Sequence, residues 1–174
     1  MNNNSPKKMR RIVKSNSSGN NNFLFEISEN NLRFNFASLR IWFGDIYIGT
    51  LDSETYLPSF IYQLFSIFDD KYYRKEIDDK NATNILHLDD FSLTLEETFD
   101  DFIKRVVRGE EKIYWSLVLS ENHFYKYENI IPEVEYVKEV YIDEYICCCN
   151  AFIDFLKMNK LVDLCFLPKK LISN

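Results

Sequence analysis

Few residues in this chain are of a type that does chemistry, and their spacing does not assemble them. There are two histidines, His87 and His123, and four cysteines, Cys147, Cys148, Cys149 and Cys165. Nucleophile-plus-base catalysis needs a serine or cysteine within reach of a histidine. The available pairings are therefore His87 or His123 with Ser92, Ser116, Ser120 or a cysteine, and none is favoured locally. Consecutive residues point about 100° apart on a helix, so Cys147 to Cys149 cannot converge on one metal as a C-x-x-C knuckle does. They read as small apolar filling of a helix. The chain has no G-x-G-x-x-G, G-x-x-x-x-G-K-[ST], H-E-x-x-H, G-x-S-x-G or calcium-loop motif. An ordinary hydrolase is disfavoured, and the expectation is a protein that is not an enzyme and carries no cofactor or metal.

Carboxylates are the abundant reactive group. Asp89, Asp90, Asp100 and Asp101 surround an expected strand–helix junction, and hard cations prefer such oxygens. The ordinary reading of those acids is a solvated helix start favoured by the macrodipole. Their distribution says more than any one of them. From Asp69 to Asp101 there are 11 acids against 4 bases, a local balance of −7, and 7 more acids lie between Glu121 and Glu144. A negative face of this kind accelerates encounter with a basic partner and suppresses wrong ones. The candidate interface is therefore Asp89, Asp90, Glu96, Glu97, Asp100 and Asp101, with Tyr72, Tyr73, Tyr114, Trp115, Tyr125 and Tyr127 as neighbouring aromatic anchors.

The net charge of −6 is unevenly divided. Residues 1–22 hold five bases (Lys7, Lys8, Arg10, Arg11, Lys14) and no acid, which leaves −11 for residues 23–174. Nucleic acid is repelled by such a body, whose natural partner is a cationic protein. The tail is rich in Asn and Ser and lacks aromatics, so residues 1–22 are expected to be a disordered basic leader. After Arg11 only Ile12 and Val13 precede Lys14, too short a run for a secretory signal. Clustered thiols without such a signal favour the cytoplasm. Mean hydropathy is −0.29, and no run approaches the roughly 20 apolar residues of a membrane span.

The elements that position these groups are read from hydrophobic period. With 46% apolar residues, 16% aromatics, 4 Gly and 4 Pro, residues 23–174 form one α+β domain. Phe23, Phe25 and Ile27 share one parity, as do Leu32, Phe34 and Phe36. Leu39, Ile41 and Phe43 then take the opposite one, so a bulge is expected near Ala37 and Ser38. Asn30-Asn31 and Gly44-Asp45 are turn chemistry, closing a meander at Ile46–Ile48. Helices are expected over 55–69, 96–107 and 143–158, a long loop over 69–84, a strand at 91–95, a hairpin of 113–119 with 123–127, and a strand over 134–142. The total is a predominantly antiparallel sheet of about seven strands packed by about three helices.

LRIWFGDIYIGTLDSETYLPSFIYQLFSIF (39–68) and FSLTLEETFDDFIKRVVRGEEKIYWSLVLSEN (91–122) resemble the small acidic α+β immunity proteins of bacterial polymorphic-toxin and contact-dependent inhibition systems. The features that carry the resemblance are a strand–turn–strand ending in Ile-Gly, a short acidic loop, a helix with Leu-Pro, and Phe-Asp-Asp-Phe before a Tyr-Trp strand. It implies a cytoplasmic protein that binds and blocks a cognate toxin domain, often a nuclease, and transfers no site residue. The alternative is a non-enzymatic structural or regulatory adaptor in a phage, plasmid or host assembly.

Overall fold

The computed structural model describes residues 9–14, 22–69, 73, 79–88, 91–163 and 165. Among these residues seven strands form two antiparallel sheets. The first runs β1 (Arg10–Lys14), β2 (Phe23–Ser28), β3 (Phe36–Phe43) and β4 (Ile46–Tyr56) in sequential order, and the second runs β5 (Phe102–Arg108), β6 (Lys112–Leu119) and β7 (Glu135–Tyr141). Three helices accompany them: α1 (Leu57–Asp69), α2 (Asp79–Ile85) and α3 (Ile142–Met158). The fold class is the one expected, with the seven strands divided between two sheets.

One core joins both sheets. Phe23, Phe25 and Ile27 of β2 lie opposite Phe43, Ile41 and Leu39 of β3, and all six are buried. Onto that apolar face come Phe152 of α3, stacked 4.5 Å from Phe25, and Trp115 of β6, 4.9 Å from Phe43. Tyr145 of α3 lies 5.0 Å from Phe23 and donates its hydroxyl to the carbonyl of Leu64 on α1. A smaller cluster of Ala82, Leu86, Phe91, Val107 and Tyr114 seats α2 on the second sheet. Among the described residues no helix is long and apolar enough to cross a membrane.

The bulge expected near Ala37 and Ser38 is present. Ala37 pairs with Thr55 but Leu39 with Thr50, so the extra residues lie on β4 and push Asp52, Ser53 and Glu54 out of the ladder. Gly44 and Asp45 make the two-residue β3–β4 turn, with Gly44 at φ +67°.

Other expectations are corrected. Residues 96–107 are not a helix. Glu97–Phe99 is a single 3₁₀ turn, and β5 follows with Phe102, Lys104 and Val106 buried on one face. The spacing of Phe99, Phe102, Ile103 and Val106 is helical, but in the strand Ile103 falls on the opposite face from Phe102 and Val106 and is exposed. The β-branched residues and the seven-residue ladder to β6 decide for strand. Phe91, Leu93 and Leu95 are buried, yet only Ser92 bridges to β5, and Leu95 at φ +65° ends the extended run. Residues 123–127 form no strand, and the run through Phe34 breaks at Asn35, φ +65°. At the end of the expected 69–84 loop, Asp79–Ile85 form α2, while residues 70–72 and 74–78 lie outside the described residues.

The disordered leader is corrected for Arg10–Lys14, which forms the edge strand β1 in register with β2 from Arg10↔Ser28 to Lys14↔Leu24. The cause is one side chain and two polar ties. Val13 lies opposite Phe25 and is 7% exposed, and its carbonyl accepts the Cys148 thiol at 3.7 Å. Arg10 pairs at 3.1 Å with Glu26, a buried carboxylate that also accepts the Trp42 indole N–H at 2.9 Å. Burying one valine is worth about 1.5–3 kcal/mol. Deleting residues 1–14 should therefore lower the melting temperature by about 4 °C or more. Thermal unfolding of the truncated and full chains tests this, and an unchanged midpoint would return β1 to the status of a dispensable tail.

Candidate binding cleft

The bulge on β4 and the 3₁₀ turn before β5 meet at a cleft of about 280 Å³. One wall is Phe36, Glu54 and Tyr56, from the paired ends of β3 and β4. The other is Glu96, Glu97 and Tyr125. A buried hydrogen bond of 2.6 Å between the hydroxyls of Thr55 and Thr98 fastens the two walls beneath the opening. Phe99 fixes the 3₁₀ turn from below, stacked 5.2 Å from Phe60 of α1 and packed over Gly49 of β4.

Phe36 and Tyr56 face each other with ring centroids 5.4 Å apart. The Arg33 guanidinium lies 4.2 Å from the Phe36 centroid, and its Nε donates at 2.9 Å to both oxygens of Glu54. That hydrogen bond holds the Glu54 carboxyl below its ordinary range and raises the Arg33 guanidinium. Glu96 and Glu97 have no cation paired with them among the described residues.

The loop that supplies Tyr125 hangs from one buried carboxylate. Asp101, 4% exposed, accepts the backbone N–H groups of Phe124 at 2.8 Å and Tyr125 at 3.0 Å and the Tyr127 hydroxyl at 3.0 Å. Burial, then the negative charge of Asp101, holds the Tyr127 proton well above the ordinary phenol range. Further along, the Glu128 N–H donates to the Tyr47 hydroxyl and the Glu133 N–H to the Leu119 carbonyl. This anchoring leaves the Phe124 side chain 91% exposed at the loop surface.

Lys104 is buried below the same loop, 4% exposed. It donates to the carbonyls of Phe99 at 2.6 Å and Phe102 at 2.8 Å, with Asp100 at 3.9 Å. Burial lowers its pKa from 10.5 to about 8, against the opposing pull of Asp100 and Asp101. Between the native value near 8 and the unfolded value of 10.5 the unfolded chain binds the extra proton, so stability rises with pH there. Cys149, pushed well above its usual 9.0 by burial, opposes this from about pH 9 upward. The clear window is therefore pH 8 to 9, where Lys104 should add about 1 kcal/mol. Melting curves at both pH values should show the full chain gaining about 2–4 °C on Lys104→Met. Equal slopes for the two proteins would refute the assignment.

The candidate interface residues separate in space. Glu96 and Glu97 stand at the cleft, Asp100 is exposed beside Lys104, and Asp101 lies beneath the loop. Asp89 and Asp90 lie outside the described residues, as does Tyr72. Asp101 is corrected from a contact residue to a buried loop anchor, because three donors converge on it. Trp115 at 0% exposure, Tyr114 and Tyr73 are core side chains, which leaves Tyr125 and Tyr127, both half-buried, of the expected aromatic anchors among the described residues. Sequence reasoning missed Glu54, Phe36, Tyr56 and Phe124. Only the phase slip at Ala37 hinted that β4 would thrust Glu54 outward.

Among the described residues neither histidine is hydrogen-bonded to a serine or cysteine side chain. The Ser116 hydroxyl donates to Glu135, which also pairs with His87 at 3.1 Å, and His123 Nδ1 lies 3.0 Å from the backbone carbonyl of Ser120. Cys148 and Cys149 are buried, with burial holding the Cys149 thiol protonated. Among the described residues no three His, Cys, Asp or Glu side chains group as a metal site. Comparison of the chain with protein-family models, curated proteins and solved structures gives no match.

Proposed function

We propose that this chain is an immunity protein that binds and neutralises a cognate cationic toxin domain, a nuclease being the natural class, by occlusion and without catalysis. The observation that carries the reading is the cleft, where two carboxylates without internal cations stand among aromatic rings on a body with a charge of −11. Such a surface attracts a basic protein and repels nucleic acid, so the inhibitor competes for the cationic surface on which a nuclease holds its substrate. The resemblance of residues 39–68 and 91–122 to small acidic immunity proteins supports the same reading, and with it a bacterial cytoplasm as the place of action.

An immunity gene sits beside its toxin gene, so the test uses the product of the adjacent gene. The full chain should bind that product, and association should slow steeply as salt rises from about 50 to 500 mM, because screening shortens the Debye length below about 8 Å. Glu96→Lys with Glu97→Lys should slow association further while leaving the melting temperature nearly unchanged. Absence of binding, or association kinetics indifferent to salt, would overturn the proposal.

A further inference from the structure

The cleft already shows how it holds a guanidinium. Arg33 sits over the ring of Phe36 and forks onto Glu54, combining a ring face with a bidentate carboxylate. The opposite wall repeats those parts without an arginine of its own, because Glu96 and Glu97 stand beside Tyr125 and no described cation pairs with them. Lys104, the one buried base among the described residues, spends its protons on the carbonyls of Phe99 and Phe102.

Phe124 does not line the cleft but adds an apolar element beside it. It is the chain neighbour of Tyr125, so their Cα atoms are about 3.8 Å apart and one partner segment reaches both. Its ring is 91% exposed while its own N–H and that of Tyr125 are held by Asp101. A large apolar side chain on backbone ordered in advance costs little further entropy when it is covered.

Resting on the binding reading above, we infer that the cleft takes a second arginine, supplied by the partner protein, between Tyr125 and the Glu96–Glu97 pair, and that an apolar residue flanking that arginine seats against Phe124. Arginine is favoured over lysine because a planar guanidinium matches both the ring faces and the carboxylate fork, whereas an ammonium matches neither.

The probes are acetyl-Arg-Leu-amide, its lysine counterpart, and its citrulline counterpart, which keeps the shape and loses the charge. Each is titrated into the isotopically labelled full chain and followed by amide chemical shifts. The arginine peptide should shift the amides of Thr98, Phe124 and Tyr125, with the citrulline peptide at least about tenfold weaker and the lysine peptide in between. Glu96→Gln with Glu97→Gln should reduce the arginine peptide to the citrulline level. Phe124→Ala should erase the advantage of acetyl-Arg-Leu-amide over acetyl-Arg-Gly-amide, and the same spectra verify that each variant is folded. Equal binding of arginine and citrulline peptides, shifts centred elsewhere, or indifference to the double substitution would overturn the inference. Self-association of the chain that buries Phe124 would overturn it too, by naming a second copy as the occupant. The two proposals fail separately. If the peptide binds as stated and the adjacent gene product does not, the immunity reading falls; if that product binds undiminished by Glu96→Gln with Glu97→Gln, the arginine site falls.

Discussion

Gly49→Ala should lower the melting temperature by about 6 °C or more, while Gly44→Ala should cost only about 2–4 °C. Both glycines have positive φ, +84° at Gly49 and +67° at Gly44, a region that costs an L-residue about 1–2 kcal/mol. Their surroundings differ. A Cβ on Gly44 meets nothing within 4 Å, whereas on Gly49 it comes within 2.5 Å of Phe99 Cε1 and 2.9 Å of the Leu39 carbonyl oxygen. That oxygen is backbone of the neighbouring strand, and the Phe99 ring is stacked on Phe60, so neither can yield cheaply. Overpacking adds about 1–3 kcal/mol to the strain. The displaced Phe99 belongs to the turn that carries Glu97, so peptide or partner binding should weaken in parallel with stability. Equal midpoints for the two alanine variants would disprove the close approach of Phe99 to β4.

Asp101→Ala should destabilise the fold by about 2–4 kcal/mol and release the loop, because hydrogen bonds to a charged group are worth about 1.5–3 kcal/mol each and partial access to water offsets some of that loss. Three donors lose their acceptor at once: two backbone N–H groups and the Tyr127 hydroxyl. Amide hydrogen exchange at Phe124 and Tyr125 should accelerate well beyond the global loss of stability. Asp100→Ala, one residue away and exposed, should leave exchange at those amides unchanged. Lys104 also loses a negative neighbour in Asp101→Ala, so its pKa should fall further below about 8 and the rise of stability with pH should begin at lower pH. Protection of both amides at the level of the unsubstituted chain would show that the loop is held by its other contacts.

These two positions also mark how far the sequence could be read. The alternation of Phe23, Phe25 and Ile27 against Leu39, Ile41 and Phe43 identifies the β2–β3 pair because a sheet buried on one face has period 2, and α1 and α3 declare themselves by periods of three and four. Phe99, Phe102, Ile103 and Val106 carry the helical period, and pairing with β6, a nonlocal event, overrides it and leaves Ile103 exposed. Val13 has no periodic neighbours and takes its place from distant partners, Phe25 of β2 and Cys148 of α3, which hid β1 among polar residues. At the site, the acidity of the 96–101 segment was legible. Its division into cleft carboxylates and a buried anchor was not, since Asp100 and Asp101 are identical in type and differ only in which side of the turn faces the loop.

Strand β1 is the outermost strand of its sheet, and Arg10, Arg11 and Lys14 lie along it. An unpaired edge invites another chain to add a strand, and lysine and arginine on that edge discourage it. A second copy docking β1 against β1 would set cation against cation within the five-residue ladder. Beneath β1 lies Phe23–Ser28, whose six residues FLFEIS carry a single charge and include four apolar side chains. With β1 removed, this short, apolar, proline-free segment would present an open edge of the kind that stacks into cross-β aggregates. The cationic strand therefore guards the sheet against self-assembly, and a chain trimmed past Lys14 should precipitate on warming at protein concentrations where the full chain stays dispersed.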